Sequence, residues 1–290
     1  MALLGYGILL GILIGGVYAL MASGLALVWG VMRMLNLAQA AFVILGGYLD
    51  YSVTTNFHLN PFVGIVPVAV GMFALGVAIY YLVFRPLRTE RQTLSILVSY
   101  AVLLAVIGTL GAIYNTDDRS IAPSFAVKSW SLAGYQVPAV QVLGFGLAVA
   151  LLVALVWFLS SSRLGRAVRA ATQNPTAATL LGVRTEVVGA VGFGLGTATG
   201  AVAGAIYGMI YSFNPNSSLD LIGLLLCIVV VGGFGSLRGA VVAGVGLGVA
   251  TSLVFVYAPV WSGLGFYGVL VLFLLFRPQG LWGVPQWRIE

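Results

Sequence analysis

The chain has 290 residues, of which 61% are hydrophobic and only 7% are charged, and its formal net charge is +6. About a quarter of the residues of a soluble domain are charged, so this composition excludes an ordinary soluble domain and predicts an all-α, polytopic integral membrane protein. One cysteine and one histidine leave no disulfide framework and no Cys/His metal cluster within the sequence itself. We therefore expect no metal or cofactor in this chain. In a polytopic protein basic residues report orientation, so the positive charge predicts no nucleic-acid partner.

Apolar runs long enough to cross a bilayer follow one another along the whole chain and form a single domain, residues 1–290. The first run lacks the basic segment of a cleaved signal peptide, so we expect a retained span with no soluble domain before it. The pattern predicts about nine membrane helices, within a range of about 8 to 10. The runs cover residues 5–31, 38–56, 62–84, 93–114, 137–159, 187–211, 220–235, 240–257 and 263–276.

The basic residues predict the orientation. If the loop with Arg85, Arg88 and Arg91 is cytoplasmic, strict alternation places every basic residue except Arg119 and Lys128 on the same side. The positive-inside rule then puts the N-terminus outside and the C-terminus in the cytoplasm. The residues that alternation adds to the cytoplasmic side are Arg33, Arg163, Arg166, Arg169, Arg184, Arg238, Arg277 and Arg288.

Two hydrophilic segments are longer than simple turns. Residues 115–136 mix both signs of charge with proline and tryptophan, which is typical of an ordered external loop or an interfacial helix. Residues 160–186 form the longest predicted cytoplasmic segment and contain a short helix with soluble-protein end signals. Asn174 is a good N-cap, Pro175 suits the first helical position, and Gly182 suits the left-handed stop.

This short helix is expected to need a partner. Its apolar residues are Ala177, Ala178, Leu180 and Leu181, and isolated helices of fewer than about 12 residues are marginal in water. A helix resting on lipid would favour a bulkier apolar face. The segment instead suits the role of a coupling helix, by which an ABC permease receives motion from its ATPase subunit.

Basic residues precede this helix at a regular spacing. Arg163, Arg166 and Arg169 are three residues apart and share one helical face, where they can meet lipid phosphates.

Catalysis finds little support in the sequence. A Walker A loop needs Gly-Lys-Ser/Thr, but the sole lysine, Lys128, follows Val127, so this chain does not hydrolyse ATP. Asp50 is the only carboxylate well inside a predicted span, and it suits either helix packing or the substrate path. A transport motor is therefore expected on another protein.

Glycines recur every four residues in the span 187–211, where they favour close helix packing over a sliding seam. The stretch GGFGSLRG favours a tight hinge or broken helix over an anion-binding nest. The stripe consists of Gly192, Gly196, Gly200, Gly204 and Gly208.

Four ordered stretches resemble one family. GRAVRAATQNPTAATLLGV (165–183) resembles the coupling loop of the permease family that includes the high-affinity branched-chain amino-acid ABC importers. The early stretch GGVYALMASGLALVWGVMRMLNLAQAAFVILGGYL, the turn FRPLR and the late stretch GGFGSLRGAVVAG are also similar to that family, and together they cover nearly the whole chain in order. The chain looks most like the shorter of the two permeases of such a system.

The resemblance implies the other subunits of an importer complex. It implies a second homologous permease subunit, two cytoplasmic ATPase subunits that carry ATP and Mg, a periplasmic or extracellular substrate-binding protein, and a bacterial inner membrane. The residues implied in ATPase coupling are Arg166, Arg169, Asn174, Pro175, Ala177, Ala178, Leu180, Leu181 and Gly182.

One departure bears on the substrate. Where the family usually has Asn-x-Ala-His-Gly followed by an acid, this chain has Asn36-Leu37-Ala38-Gln39-Ala40-Ala41. Branched-chain amino acids, urea, amides and small organic acids therefore stay open as solutes. The polar residues predicted to line the path are Asn36, Gln39 and Asp50, with Ser95, Ser99 and Asn214 as weaker candidates.

A self-sufficient carrier or channel is the alternative function. It explains the neutral spans but gives the capped cytoplasmic helix no role. A membrane enzyme is disfavoured, because the sequence lacks the catalytic groups that it would need.

Overall fold

The computed structural model describes residues 2–87, 91–123, 128–132, 134–276 and 280–282. Of the residues used to predict orientation, Arg88, Arg277 and Arg288 lie outside this part of the chain. The described residues form eleven α-helices and one β-hairpin. In chain order the elements are α1 (Ala2–Met32), α2 (Ala38–Phe57), α3 (Pro61–Ile79), α4 (Arg91–Tyr114), β1 (Ser129–Leu132), β2 (Tyr135–Pro138), α5 (Ala139–Ser161), α6 (Arg163–Gln173), α7 (Pro175–Leu180), α8 (Thr185–Ile210), α9 (Ser217–Gly232), α10 (Leu237–Tyr257) and α11 (Ser262–Phe276).

The structure is that of a polytopic membrane protein of the all-α class, as predicted, with one short β-hairpin. Each predicted apolar run forms a helix whose ends lie within three residues of the predicted ends, and α3 continues as a π-helical turn, Tyr80–Phe84. Within the described residues six helices are both long and apolar enough to cross a bilayer: α1, α3 with its π-helical extension, α4, α5, α8 and α10. The predicted count of about nine is therefore too high by this criterion. The apolar α9 has only 16 residues, and the second half of α2 is polar.

Helix α8 lies at the centre of the bundle. It packs against α1, α2 and α3, while α1 packs along most of α10. A Cβ on Gly204 of α8 would lie 1.7 Å from the carbonyl oxygen of Val43 in α2, and one on Gly248 of α10 would lie 2.4 Å from Cα of Gly15 in α1. The backbones are thus in direct contact, and the glycine stripe of α8 serves close helix packing.

The peripheral helices are much less covered. Of the residues in the most apolar 18-residue segment of each helix, 72% are buried in α1 and α8, 28% in α3 and α5, and 17% in α4. Most of the surface of α4 is therefore left for lipid or for another protein chain.

At one end of the bundle, here called the hairpin end, backbone hydrogen bonds hold the residues between α4 and α5. β1 and β2 form an antiparallel pair, so the described residues of the hydrophilic segment contain an ordered hairpin and no interfacial helix. Before the hairpin, the amide of Arg119 donates to the Phe213 carbonyl at 2.9 Å, and the amide of Phe213 donates to the Arg119 carbonyl at 2.8 Å. These bonds fix the segment on the loop that follows α8.

The opposite end, here called the α7 end, carries α6 and α7 between α5 and α8. The Gly-rich stretch forms the turn from α9 to α10 at this end, with φ values of +94° at Gly233 and +77° at Gly235. Ser236 caps α10, because its Oγ accepts a hydrogen bond from the amide of Gly239 at 3.0 Å. The stretch therefore forms a tight turn between two helices.

Candidate functional site

The chain leaves helical geometry between α1 and α2 while it is still inside the bundle. Arg33 has a φ of +51°, and α2 starts at Ala38. In the first turn of α2, Gln39 donates from Nε2 to the carbonyl of Gly196 at 2.8 Å. Gly196 lies eleven residues into α8, or about 16 Å from the start of that helix. Helix α2 therefore starts near the middle of the bundle.

Ser99 of α4 supports this break. Its Oγ accepts a hydrogen bond from the amide of Leu37 at 3.1 Å and lies 3.3 Å from the carbonyl oxygen of Leu35. Irregular backbone is tolerated at membrane depth only where protein groups cover and pair it. Ser99 therefore has a structural role at the break.

Two amide side chains at the break have polar atoms without a hydrogen-bond partner among the described residues. Asn36 is 2% exposed, and within the described part of the chain neither its Oδ1 nor its Nδ2 has a hydrogen-bond partner. The Oε1 of Gln39 is also buried and unpartnered there. Buried polar groups are normally paired, and leaving one unpaired costs about 1 to 3 kcal/mol. These amides are therefore the strongest candidates among the predicted path residues for contact with a ligand.

Glycines enclose the amide of Gln39. A Cβ on Gly24 of α1 would lie 2.6 Å from its Nε2, and a Cβ on Gly200 of α8 would lie 2.5 Å from the same atom. Side chains at these positions would thus displace Gln39. The sequence showed the glycine stripe but gave no signal that this part of it surrounds a polar group.

The other predicted path residues are more scattered. Ser95 is buried in α4 one turn before Ser99. Asp50 lies eleven residues after Gln39, about 16 Å further along α2, and its buried carboxylate is directed towards Gly64 of α3. Among the described residues this carboxylate has no hydrogen-bond partner.

Asn214 lies at the hairpin end. Its Nδ2 donates to Asp118 Oδ1 at 2.9 Å, and its Oδ1 accepts from the amide of Ser217 at 3.1 Å. The structure therefore brings Asn36, Gln39 and Ser99 together, with Ser95 nearby, and places Asp50 and Asn214 elsewhere.

Two concavities lie on either side of the break. A cavity of about 480 Å³ opens at the α7 end and is lined by Arg33 and Met34 of the break, by Tyr80 and Phe84 at the end of α3, and by parts of α7 and α8. A cleft of about 290 Å³ between α2 and α4 begins near Leu45 and Val102. The sequence did not predict either concavity, because the lining residues come from segments far apart in the chain.

The short helix α7 has the predicted ends. Asn174 Oδ1 accepts from the amide of Ala177 at 3.0 Å, Pro175 is the first helical residue, and Gly182 has a φ of +82°. Leu180 and Leu181 are each 84% exposed, so two large apolar side chains project from the protein.

One part of the predicted coupling surface is wrong. Ala178 is 2% exposed and packs with Val168 of α6 and Val188 of α8, so it anchors α7 to the bundle and is not presented outward. Ala177 is exposed beside the two leucines. Ala177 and Ala178 are adjacent in the chain, and adjacent residues of a helix lie on different faces. This is why only one of the two alanines points inward.

The arginines of α6 bind the end of the preceding helix. Arg166 Nη1 donates to the Ser161 carbonyl at 2.7 Å, and Arg169 Nη2 donates to the Ser160 carbonyl at 3.0 Å. These cations satisfy carbonyls that the end of α5 leaves unpaired. They thereby fix the angle between α5 and α6.

An ion pair joins two helices at the edge of the cavity. Arg85 Nη2 lies 2.9 Å from Glu186 Oε2, which connects the end of α3 to the first turn of α8. Glu186 also lies in the first turn of α8, at the positive end of the helix dipole. The pairing itself joins residues that are 101 positions apart, and no local pattern indicates it.

The fold and the site together define a class of protein. A helix bundle with polar groups at a mid-depth break, flanked by concavities, is the arrangement of a multi-pass membrane transport protein.

Among the described residues no cluster of three or more His, Cys, Asp or Glu side chains is placed to hold a metal ion.

Comparison with known proteins identifies the family. The profile of the family described as branched-chain amino acid transport system, permease component, matches residues 7–275. The chain therefore belongs to this family of transport permeases. No solved structure matches the chain significantly.

Curated relatives match almost end to end. The permease protein BraD of a high-affinity branched-chain amino acid transport system, from Pseudomonas aeruginosa, is 28% identical over 95% of this chain and 94% of its own length. The corresponding permease LivH of Escherichia coli (strain K12) is 26% identical with the same coverage. A probable LivH permease of Methanocaldococcus jannaschii is 26% identical over 96% of this chain and 91% of its own length.

Proposed function

We propose that this chain is the permease subunit of an ABC importer, through which partner ATPase subunits drive a small polar organic solute into the cytoplasm. The observation that carries the proposal is the surface of α7. A capped helix of six residues exposes Leu180 and Leu181, and two adjacent exposed leucines suit docking against another protein.

The attachment of α7 supports a coupling role. The amide of Val183 donates to the Ala178 carbonyl at 3.0 Å, and α8 begins at Thr185, two residues later. A force on α7 is therefore passed to α8 through a short, hydrogen-bonded link. Helix α8 in turn contacts the break through Gly196 and Gln39, so movement of α7 reaches the polar groups at mid-depth.

The solute belongs to a limited chemical class. The relatives are named for branched-chain amino acid transport, and the polar groups at the break between α1 and α2 are neutral amides and hydroxyls, while the buried Asp50 carboxylate lies further along α2. We propose a branched-chain amino acid, or a related amide, urea or organic acid, as the solute. ATP and Mg would be bound by the partner ATPases, and this chain would act as a transport subunit and not as an enzyme.

The assembly follows from the same proposal. It contains a second homologous permease subunit, two ATPase subunits at the α7 end, and a periplasmic or extracellular binding protein at the hairpin end. The membrane is the bacterial inner membrane, with the N-terminus outside and the C-terminus in the cytoplasm. The excess of arginine at the α7 end supports this orientation.

Reconstitution tests the proposal against a self-sufficient carrier or channel. Proteoliposomes with the complete importer should accumulate L-leucine only with ATP and loaded binding protein, and a nucleotide-binding subunit should copurify with this chain. The double variant Leu180→Asp with Leu181→Asp should lower uptake at least about tenfold, because two acids prevent apolar docking. Leu180→Met with Leu181→Met keeps an apolar surface of similar volume at the same positions and is the matched control.

The alternatives give different results. Solute flux through vesicles that hold this chain alone would favour the carrier or channel. Copurification of an ATPase with normal uptake by the double aspartate variant would remove α7 from the coupling role.

A further inference from the structure

The start of α2 is polar, deep and incompletely satisfied. Asn36 stands two residues before α2, Gln39 lies in its first turn, and three polar atoms of these two side chains have no hydrogen-bond partner among the described residues. Ser99 holds the backbone of this break in place through Leu37. A fixed backbone with unpaired amides beside it has the character of a preformed binding site.

We propose that the start of α2 is the subsite that binds the carboxylate end of the transported solute. The inference deepens the proposed transport function and depends on it, because a solute reaches this depth only if the chain forms a transport path.

The helix itself favours an anion. The positive end of the helix dipole lies at the start of α2, no side chain caps it, and no acidic residue occupies its first turn. At six other helix starts a side chain supplies a cap or an acid: Asn60, Ser162, Asn174 and Ser236 cap α3, α6, α7 and α10, and Glu186 and Asp220 lie in the first turns of α8 and α9. The uncapped start of α2 leaves its partial positive charge for a ligand.

The amides suit the rest of an amino acid. Asn36 Nδ2 is a donor that fits a carboxylate, while Asn36 Oδ1 and Gln39 Oε1 are acceptors that fit an ammonium group. Neutral amides hold a zwitterion without placing a permanent charge in the bundle, which would be costly there. The apolar side chain of the solute would then lie among the apolar residues that line the α2–α4 cleft.

The position also fits a path between the two ends. The 480 Å³ cavity reaches Met34, two residues before Asn36, and the α2–α4 cleft reaches Val102, three residues after Ser99. Exposed Arg33 lies in the cavity on the α7 side, where its charge attracts a departing carboxylate. Asn36 is buried in this structure, so the subsite is closed and opens when the helices around the break separate.

Ligand binding to the purified importer, without its binding protein, provides the direct test. The probes are L-leucine, 4-methylpentanoate, which lacks the ammonium group, and leucinamide, which lacks the carboxylate. L-leucine and 4-methylpentanoate should raise the Tm of the wild-type complex, and leucinamide should raise it by less than half as much. Equal stabilisation by leucinamide, or no stabilisation by either carboxylate probe, would overturn the carboxylate assignment.

Variants locate the binding. Asn36→Ala and Gln39→Leu should each lower the affinity for L-leucine at least about tenfold, since each removes a hydrogen-bonding group from the subsite. Ser23→Ala is the matched control, because Ser23 is buried in α1 beside Gly24 and donates to Leu20 of its own helix. Unchanged affinity in both amide variants would disprove the subsite.

A variant with nearly the same side-chain shape distinguishes loss of binding from loss of folding. Asn36→Asp places a negative charge where the solute carboxylate would lie, so it should abolish the rise in Tm that L-leucine causes in the wild-type complex. A purely structural Asn36 would leave that response to L-leucine unchanged.

Uptake measurements separate this inference from the proposed function. If ATP-dependent uptake by the wild type is normal and Asn36→Ala transports L-leucine with unchanged KM, the subsite is wrong and the importer assignment stands. If wild-type uptake needs no ATP, the importer assignment fails first.

Discussion

Asn174 and Asn36 both stand at the start of a helix, yet the structure uses them in opposite ways. Asn174 is exposed at the α7 end and its side chain caps α7 through the amide of Ala177 at 3.0 Å. Asn36 is buried beside α2, and its amide has no partner within the described chain. The first asparagine completes its own helix. The second is held in place by residues of distant helices and remains available to a ligand.

The difference separates two kinds of stability. The ends of α7 are formed by local hydrogen bonds that a few neighbouring residues supply, and its two leucines are left uncovered. The break is built from contacts between α1, α2, α4 and α8, whose glycines allow the backbones to touch. We expect substitutions at the break to affect the whole bundle and substitutions at α7 to act locally.

Gly204→Ala should have the largest effect. The new Cβ would lie 1.7 Å from the carbonyl oxygen of Val43, so α2 and α8 must separate, at a cost of about 3 kcal/mol or more. The thermal unfolding of the purified protein in detergent measures this loss. Gly146→Ala in α5 is the control, because a Cβ there meets nothing within 4 Å, and it should stabilise α5 by up to about 1 kcal/mol. Equal Tm values for the two variants would contradict the close-packed seam.

Ser99→Ala should destabilise the break by about 2 kcal/mol, because it leaves the amide of Leu37 buried and unpaired. Hydrogen exchange in residues 34–40 should increase. Thr109→Ala is the control on the same helix, since Thr109 is exposed and donates only to Ala105 of its own turn. If exchange at the break is the same in both variants, Ser99 does not support it.

Asn174→Ala should cost about 1 kcal/mol and should act on α7 alone. Faster hydrogen exchange in residues 175–181, without a change in the Tm of the bundle, is the expected result. Asn174→Asp keeps the capping oxygen and should restore protection. A fall in global Tm would mean that α7 contributes to the stability of the bundle more than its local contacts indicate.

Arg85→Ala should have the smallest effect, below about 1 kcal/mol, because the side chains of its ion pair with Glu186 are 50% and 59% exposed. The loss should shrink further as salt is added. The exchange of both charges, Arg85→Glu with Glu186→Arg, is the comparison variant. A loss that persists in 1 M salt would show that Arg85 acts through packing instead, for example on the ring of Tyr81.

Much of the fold could be predicted from local patterns. The runs of apolar residues predict the two ends of each described membrane helix to within three residues. The end signals at Asn174, Pro175 and Gly182 predict α7. The path was harder to predict. Asn36 and Gln39 were recognised as polar residues in an apolar setting, but Asp50 and Asn214 share that property and lie elsewhere, because composition does not say which helix a side chain faces.

The sequence by itself determined the membrane class, the helix ends and the capped α7, because hydropathy and capping depend on residues that are neighbours in the chain. Only the tertiary structure decided that α2 starts about 16 Å inside the bundle, that Ser99 supports this break, and that Ala178 points inward while Leu180 and Leu181 point outward. These features arise from contacts between helices that are far apart in the chain. Such contacts depend on how closely the glycine-lined backbones approach one another, and that distance is set only when the bundle has formed.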